Sequence, residues 1–215
     1  GRVVNGENAT TIGYQAMKVA TESDNTAVGA YALQALVDGE NNTALGIAAG
    51  YRIDKGDDST FLGWYAGYNA TGSDNTFVGS EAGKGGTDSA PYSSGTSNVA
   101  VGYQALTAFT TGINDVAVGV EAGDALTIGT NNVALGKGAL SAEDVGNGTV
   151  AIGRDALLRQ NSDSNNEVTL NVAVGINAGN VLTTAQNSTL MGAYSGEAVT
   201  IDGNIQLADN NKIQL

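Results

Sequence analysis

Several residue types that carry enzyme chemistry are missing from this 215-residue chain, which contains no cysteine and no histidine. Disulfide frameworks, thiolate sites and imidazole metal sites are therefore excluded, as are the usual nucleophile–base pairs. The sequence offers no catalytic residue, no metal-binding motif and no cofactor-binding motif. We predict that the protein is not an enzyme.

Basic residues are scarce too, with 9 Lys and Arg against 22 Asp and Glu and a formal charge of −13. Nucleic-acid binding requires clustered Lys and Arg, and an anionic membrane surface would repel this chain. No signal peptide is recognisable, and no apolar run is long enough to span a bilayer. We therefore predict no nucleic-acid partner and no membrane insertion.

The residues that are abundant form a repeat. The chain has 31 glycines but 41% hydrophobic residues, which favours a packed core over disorder. One glycine, called here the reference glycine, recurs at a basic spacing of 17 residues, interrupted by two longer intervals. Its copies are Gly13, Gly29, Gly46, Gly63, Gly79, Gly102, Gly119, Gly136, Gly153, Gly175 and Gly192.

The positions around the reference glycine are restricted. The residue directly before it is always a large aliphatic, and the residue three before it is always Thr or Val. These two positions lie two residues apart, so in a strand their side chains share one face. We expect that face to line the interior of a coil. The residue two before it is alanine in seven of eleven copies, and the residue three after it is alanine in ten. We expect these alanines to form a second face, which association of identical chains covers.

The rest of each unit reads as turns around a second apolar anchor, as in Leu36, Ile53, Phe109, Leu126 and Leu182. We expect a β-solenoid, because two glycines in every 17 residues would break a helix. An asparagine column that includes Asn25 and Asn75 is interpreted as a buried amide ladder. Acidic pairs at 57–58 and 143–144 are interpreted as solvated turn residues rather than as glycosidase carboxylates.

We divide the chain into tandem repeats over residues 1–196 and a short β-rich segment over 197–215, expected to lead into a further domain. Insertions near 84–97, which contain Pro91, and 158–170 interrupt the repeats. Loops that leave a rigid scaffold often contain the residues that bind a partner, so the insertions are candidate binding sites.

The phrases at 75–83 (NTFVGSEAG) and 171–179 (NVAVGINAG) resemble two related groups of repeats. One is the head repeat of trimeric autotransporter adhesins, and the other is a repeat of phage tail fibres. The resemblance implies a left-handed parallel β-roll assembled as a homotrimer. The segment at 203–215 resembles a motif of marine phage tail-fibre shafts, which favours a virion tail fibre over a bacterial cell-surface adhesin.

The predicted function is a structural fibre segment that positions receptor binding. Trp64, Tyr65, Tyr68 and Tyr92 are the candidate contacts for a host cell-surface glycan or receptor, with packing between chains as the alternative. A bacterial adhesin head and a fibre-borne glycan-degrading enzyme are the other functions considered.

Overall fold

Every repeat in the sequence contributes one strand of three residues. The computed structural model describes residues 8–19, 24–86, 92–165, 167–196, 199–201, 204–206 and 213–214. Over these ranges the chain is all β and contains no helix. Pro91 and most of the segment 203–215 lie outside the described residues.

Eleven of the strands, β1 to β11, stack in chain order into one parallel sheet. Their bounds are Thr10–Ile12, Thr26–Val28, Thr43–Leu45, Thr60–Leu62, Thr76–Val78, Val99–Val101, Val116–Val118, Val133–Leu135, Val150–Ile152, Val172–Val174 and Thr189–Met191. The register pairs equivalent repeat positions, as in Val116 with Val133 and Ala117 with Ala134. The prediction of a parallel β-solenoid is confirmed.

Three further strands follow the last repeat. β12 (Val199–Ile201) and β13 (Asn204–Gln206) form an antiparallel pair. β14 (Ile213–Gln214) returns to the main sheet and pairs in parallel with β11.

The strand face that lines the solenoid is the opposite of the one predicted. Side chains two before the reference glycine are buried, from Ala27 to Leu190, with at most 1% exposure. The aliphatic column beside them points outward, and Leu45 and Val118 are 52% and 37% exposed. The Thr/Val column is likewise exposed or half-buried throughout. The expected inward face was therefore wrong.

The reason for this reversal is the limited width of the coil. The alanines three after the reference glycine, such as Ala49 and Ala122, are fully buried within the same chain. The second apolar anchors, such as Leu36 and Phe109, are buried as well, as predicted. With these groups in place, the strand contributes mainly alanine to the interior. The alanine faces therefore need no second chain to cover them, and that expectation was also wrong.

Two phenylalanines enter the interior from the strand, each where a glycine of the same coil makes room. Phe61 and Phe77 replace the strand alanine in two adjacent coils, and their rings lie 5.9 Å apart. A Cβ on Gly67 would lie 2.2 Å from the Phe61 ring, and one on Gly83 would lie 2.4 Å from the Phe77 ring. The core is thus matched in volume within each coil.

The reference glycines make the bend that the sequence predicts. Gly119 has a φ of +138°, in a region that side chains with a Cβ rarely adopt. A Cβ there would also lie 2.6 Å from the backbone of Gly136 in the next coil. Glycine is therefore required at this position for two reasons, the positive φ and the close stacking of the coils.

The asparagine column forms a buried hydrogen-bonded ladder, which confirms its structural interpretation. Asn42 Nδ2 donates to the carbonyl of Gly56 at 2.8 Å, and Asn42 Oδ1 accepts from the Ser59 backbone N–H at 3.0 Å. Asn98 repeats both bonds, to Gly112 and from Asp115. The ladder links each side-chain amide to the neighbouring backbone, which satisfies groups that burial would otherwise leave unpaired.

The described parts of both insertions form hydrogen bonds to the stack. Ser93 of the first is fully buried, and its Oγ donates to the Phe109 carbonyl at 2.8 Å. Its backbone N–H donates to the Asn69 carbonyl at 3.0 Å. In the second insertion, Thr169 is buried and bonds to the carbonyl of Asn147 at 2.8 Å.

Candidate ligand-binding groove

Aromatic rings form a continuous row across the first four coils. In order along the row they are Tyr14, Tyr31, Tyr51, Tyr68, Tyr65 and Trp64. Tyr51 and Tyr68 stack at 4.9 Å with 7° between their planes, and Tyr68 and Tyr65 stack at 4.5 Å. The row ends at Trp64, which is 46% exposed and lies 4.2 Å from Tyr65.

Arg52 connects Tyr92 of the first insertion to this row. Its Nη1 donates to the Tyr92 hydroxyl at 2.5 Å, and its guanidinium carbon lies 4.5 Å from the centre of that ring. The same carbon lies 5.5 Å from the Tyr51 ring and 5.6 Å from the Tyr68 ring, which are cation–π distances. The four aromatic residues that the sequence singled out therefore belong to one cluster.

The sequence analysis missed Tyr51 and Arg52, although a signal for Tyr51 is present. Tyr51 and Tyr68 both lie five residues after a reference glycine in adjacent repeats. Equivalent positions stack in a solenoid, so these two rings had to meet. Nothing in the repeat indicates that Tyr92, which lies in an insertion, reaches back to Arg52.

Beside this cluster is a groove with a volume of about 810 Å³. Its walls come from four successive coils and the first insertion, and include Lys18, Gln34, Tyr51, Arg52, Thr71 and Tyr92. Asp54 is the one acidic side chain among the described residues that line it. The groove thus joins aromatic faces to two positive charges.

The guanidinium of Arg52 donates one hydrogen bond among the described residues, to the Tyr92 hydroxyl. Its Nε is buried without a hydrogen-bond partner. The ion pairs of the described residues, Lys55 with Asp38 and Arg154 with Asp155, do not include it. A buried donor of this kind normally has an acceptor, so the side chain is incompletely satisfied.

A second surface feature is an apolar stripe, defined by the residues directly before and directly after each reference glycine. Its exposed large members are Ile12, Tyr14, Leu45, Ile47, Trp64, Tyr103, Val118, Val120, Ile176 and Met191. Ser80, Lys137 and Arg154 interrupt it in three coils. The aliphatic residue before the reference glycine extends the stripe from the first coil to the last, and exposed apolar surface of this kind is typical of an interface.

The acidic pairs take part in hydrogen bonds between turns of the stack. Asp57 and Asp58 accept hydrogen bonds from the preceding coil, from the Glu40 backbone at 2.9 Å and the Asn41 side chain at 3.1 Å. Glu143 is fully buried, so the expectation of a solvated side chain was wrong there. It accepts bonds from the backbone N–H of Gly146 at 2.8 Å and from Ser162 Oγ at 3.1 Å, which ties the second insertion to its turn.

Asp115 occupies a position of the buried asparagine column. Burial raises the pKa of its carboxyl to about 7, although hydrogen bonds from the backbone and side chain of Asn132 act in the opposite direction. This carboxyl therefore titrates near neutral pH in the folded protein.

No family model, curated protein or solved structure matches the chain. Among the described residues there is no group of three or more metal-ligating side chains placed to hold an ion. The described ranges also contain no helix of the length and hydropathy needed to cross a membrane.

Proposed function

We propose that this chain is a structural segment of a homotrimeric phage tail fibre that positions receptor binding and contacts host surface glycans through its aromatic row. The proposal includes a left-handed coil. The observation that carries it is the apolar stripe, which recurs at the same two repeat positions from the first coil to the eleventh and is interrupted by a polar residue in three coils.

The stripe supports self-association because its members recur with the period of the coil. A partner with the same period meets an equivalent side chain at every step of about 4.8 Å along the sheet. A second and third copy of this chain have that period, whereas an unrelated globular partner does not. Burying aliphatic side chains such as Leu45 and Val118 stabilises such an assembly by about 25 cal/mol per Å² of apolar surface, before the costs of association.

The uniform coils support a role in projection. Within β1 to β11 each strand pairs only with its neighbours in the sequence, so this part of the solenoid is an elongated body that grows by one strand per repeat. The groove is the feature that supports a direct contact with a ligand, since the aromatic cluster and the first insertion break the repeat there.

A bacterial cell-surface adhesin head is the second candidate, because the same trimeric architecture would serve it. The genomic sequence that flanks this chain separates the two. A virion-attachment domain supports the fibre, and a membrane anchor supports the adhesin.

Light scattering tests the assembly. The expected mass is that of three chains of 21.6 kDa each. Introducing Leu45→Asp and Val118→Asp together should give monomers, because both charges would be buried at the shared axis. Thr111→Asp adds the same charge to an exposed turn and should leave the trimer intact. A wild-type monomer at micromolar concentration would overturn the proposal.

A further inference from the structure

The groove is a locally positive site on a strongly acidic protein. The chain carries a formal charge of −13, with only nine basic residues. Two of these, Lys18 and Arg52, line the groove against the single carboxylate of Asp54. Since no carboxylate of the described residues pairs with Arg52, its charge is available to a ligand.

We infer that this groove binds an acidic saccharide, with a carboxylate or sulfate group on Arg52 and sugar rings against the tyrosine faces. The inference deepens the glycan contact in the proposed function and is independent of the trimer and the fibre.

The chemistry of Arg52 favours an oxyanion. A guanidinium presents five N–H donors in a planar fork that matches carboxylate and sulfate oxygens. One of these donors is used by the Tyr92 hydroxyl. The rings of Tyr51 and Tyr92 hold the guanidinium plane in place, so little side-chain entropy is lost when an anion binds.

The shape of the groove favours a saccharide chain over a small anion. Its lining begins at Lys18 in the first coil and reaches Thr71 in the fourth, which corresponds to about 14 Å at the spacing of stacked strands. Gln34 and Thr71 supply neutral hydrogen-bonding groups along this length, and Tyr51 supplies an apolar face. A free phosphate or sulfate ion would use one end of this site only.

Titration calorimetry with three probes tests the inference: oligogalacturonate as the carboxylate, dextran sulfate as the sulfate, and neutral dextran. We expect one or both acidic probes to bind and dextran not to bind. Binding should weaken as salt is raised, because the contact is between charges at a surface.

Variants then locate the site. Arg52→Gln should raise the Kd for the acidic probe at least tenfold. Arg159→Gln removes the same charge from an exposed position and should leave the Kd unchanged. Arg52→Lys keeps the charge without the fork and should give an intermediate Kd. It also serves as the deciding variant should Arg52→Gln unfold the site.

Three results would overturn the inference. The first is a wild-type protein that binds neither acidic probe at millimolar concentration. The second is equal binding of dextran and the acidic probes. The third is an Arg52→Gln or Arg52→Lys protein that binds like Arg159→Gln, which would make Arg52 only a clamp for Tyr92. Light scattering on the same samples keeps these results separate from a failure of the trimer.

Discussion

Asp115 Oδ1 accepts two hydrogen bonds from Asn132 in the next coil, one from its backbone N–H at 2.8 Å and one from its side-chain amide at 3.1 Å. In the asparagine members of this column, Nδ2 also donates to a carbonyl of the following turn, as Asn132 does to Gly146. Asp115 can supply such a donor only when its carboxyl is protonated. The raised pKa of Asp115 therefore agrees with its position in the ladder, where the protonated carboxyl can supply the missing donor.

This relationship predicts that Asp115→Asn stabilises the protein at neutral and alkaline pH. The folded pKa is about 7 against an ordinary value of 3.8, so between these values the folded state holds a proton that the unfolded state releases. The contribution of Asp115 to stability is present below about pH 4 and is lost as the pH rises through 7. Its full extent is on the order of 4 kcal/mol.

Thermal unfolding at pH 4, 6 and 8 measures this effect as the difference between wild type and Asp115→Asn. The difference should increase with pH and level off above pH 7. Comparing the two proteins at each pH removes the contribution of the other carboxylates. A constant difference across this range would contradict the raised pKa.

Substitutions at two adjacent residues of β7 should differ in their effect on the stability of the coil. Ala117→Asp places a charge in the interior, where it has no partner, and should cost at least about 4 kcal/mol of unfolding free energy. Val118→Asp places the same charge on the outward face and should leave the circular dichroism spectrum of the coil unchanged while weakening assembly. If Val118→Asp also abolishes the β signal in the monomer, the assignment of faces fails.

The reference glycines allow a test of stacking with a matched control. Gly119→Ala should destabilise the protein on the order of 3 kcal/mol, because its Cβ meets the Gly136 backbone in addition to the strained φ. Gly192→Ala shares a positive φ of +108° but meets nothing within 4 Å. Urea unfolding should show a much smaller loss for Gly192→Ala, and equal losses would mean that backbone conformation alone requires these glycines.

Trp64 belongs to both the apolar stripe and the aromatic row, and Tyr103 belongs to the stripe. Trp64→Ala and Tyr103→Ala should both raise the protein concentration needed to keep the trimer assembled, because each removes apolar surface from the interface. Trp64→Ala alone should also weaken acidic-saccharide binding several-fold, because it shortens the row that leads to the groove. Equal saccharide affinity for the two variants would remove Trp64 from the ligand contacts.

Much of the fold could be predicted because the same pattern of residues occurs in eleven copies. Each of the strands β1 to β11 lies where the Thr/Val and aliphatic residues precede a glycine, and the turns and apolar anchors follow in the expected order. The direction of the strand face could not be decided from alternation, because the residues on both faces are apolar. A second signal does decide it: Phe61 with Gly67, Phe77 with Gly83, and Leu190 with Gly196 pair a large residue with a glycine six positions later.

The candidate site was predictable only in part. Its aromatic residues break the repeat and are visible in the sequence. The position of Tyr92 over Arg52 depends on the path of an insertion, which the repeat does not determine. Outside the site, the raised pKa of Asp115 could not be predicted either, because it results from burial. The insertions were expected to be loops that leave the scaffold, and the sequence does not indicate that Ser93 and Ser162 within them form hydrogen bonds to the stack.

The register between coils also bears on how such a gene can change. Removing residues 116–132 would place the coil of Val99 directly against the coil of Val133, with every strand residue and ladder position still matched to its equivalent. Recombination between copies of the repeat can therefore shorten or lengthen the rod by whole coils, in steps of about 4.8 Å, without creating a mismatched junction. The length of the rod can therefore change between generations by whole coils, while the groove in the first four coils stays unchanged.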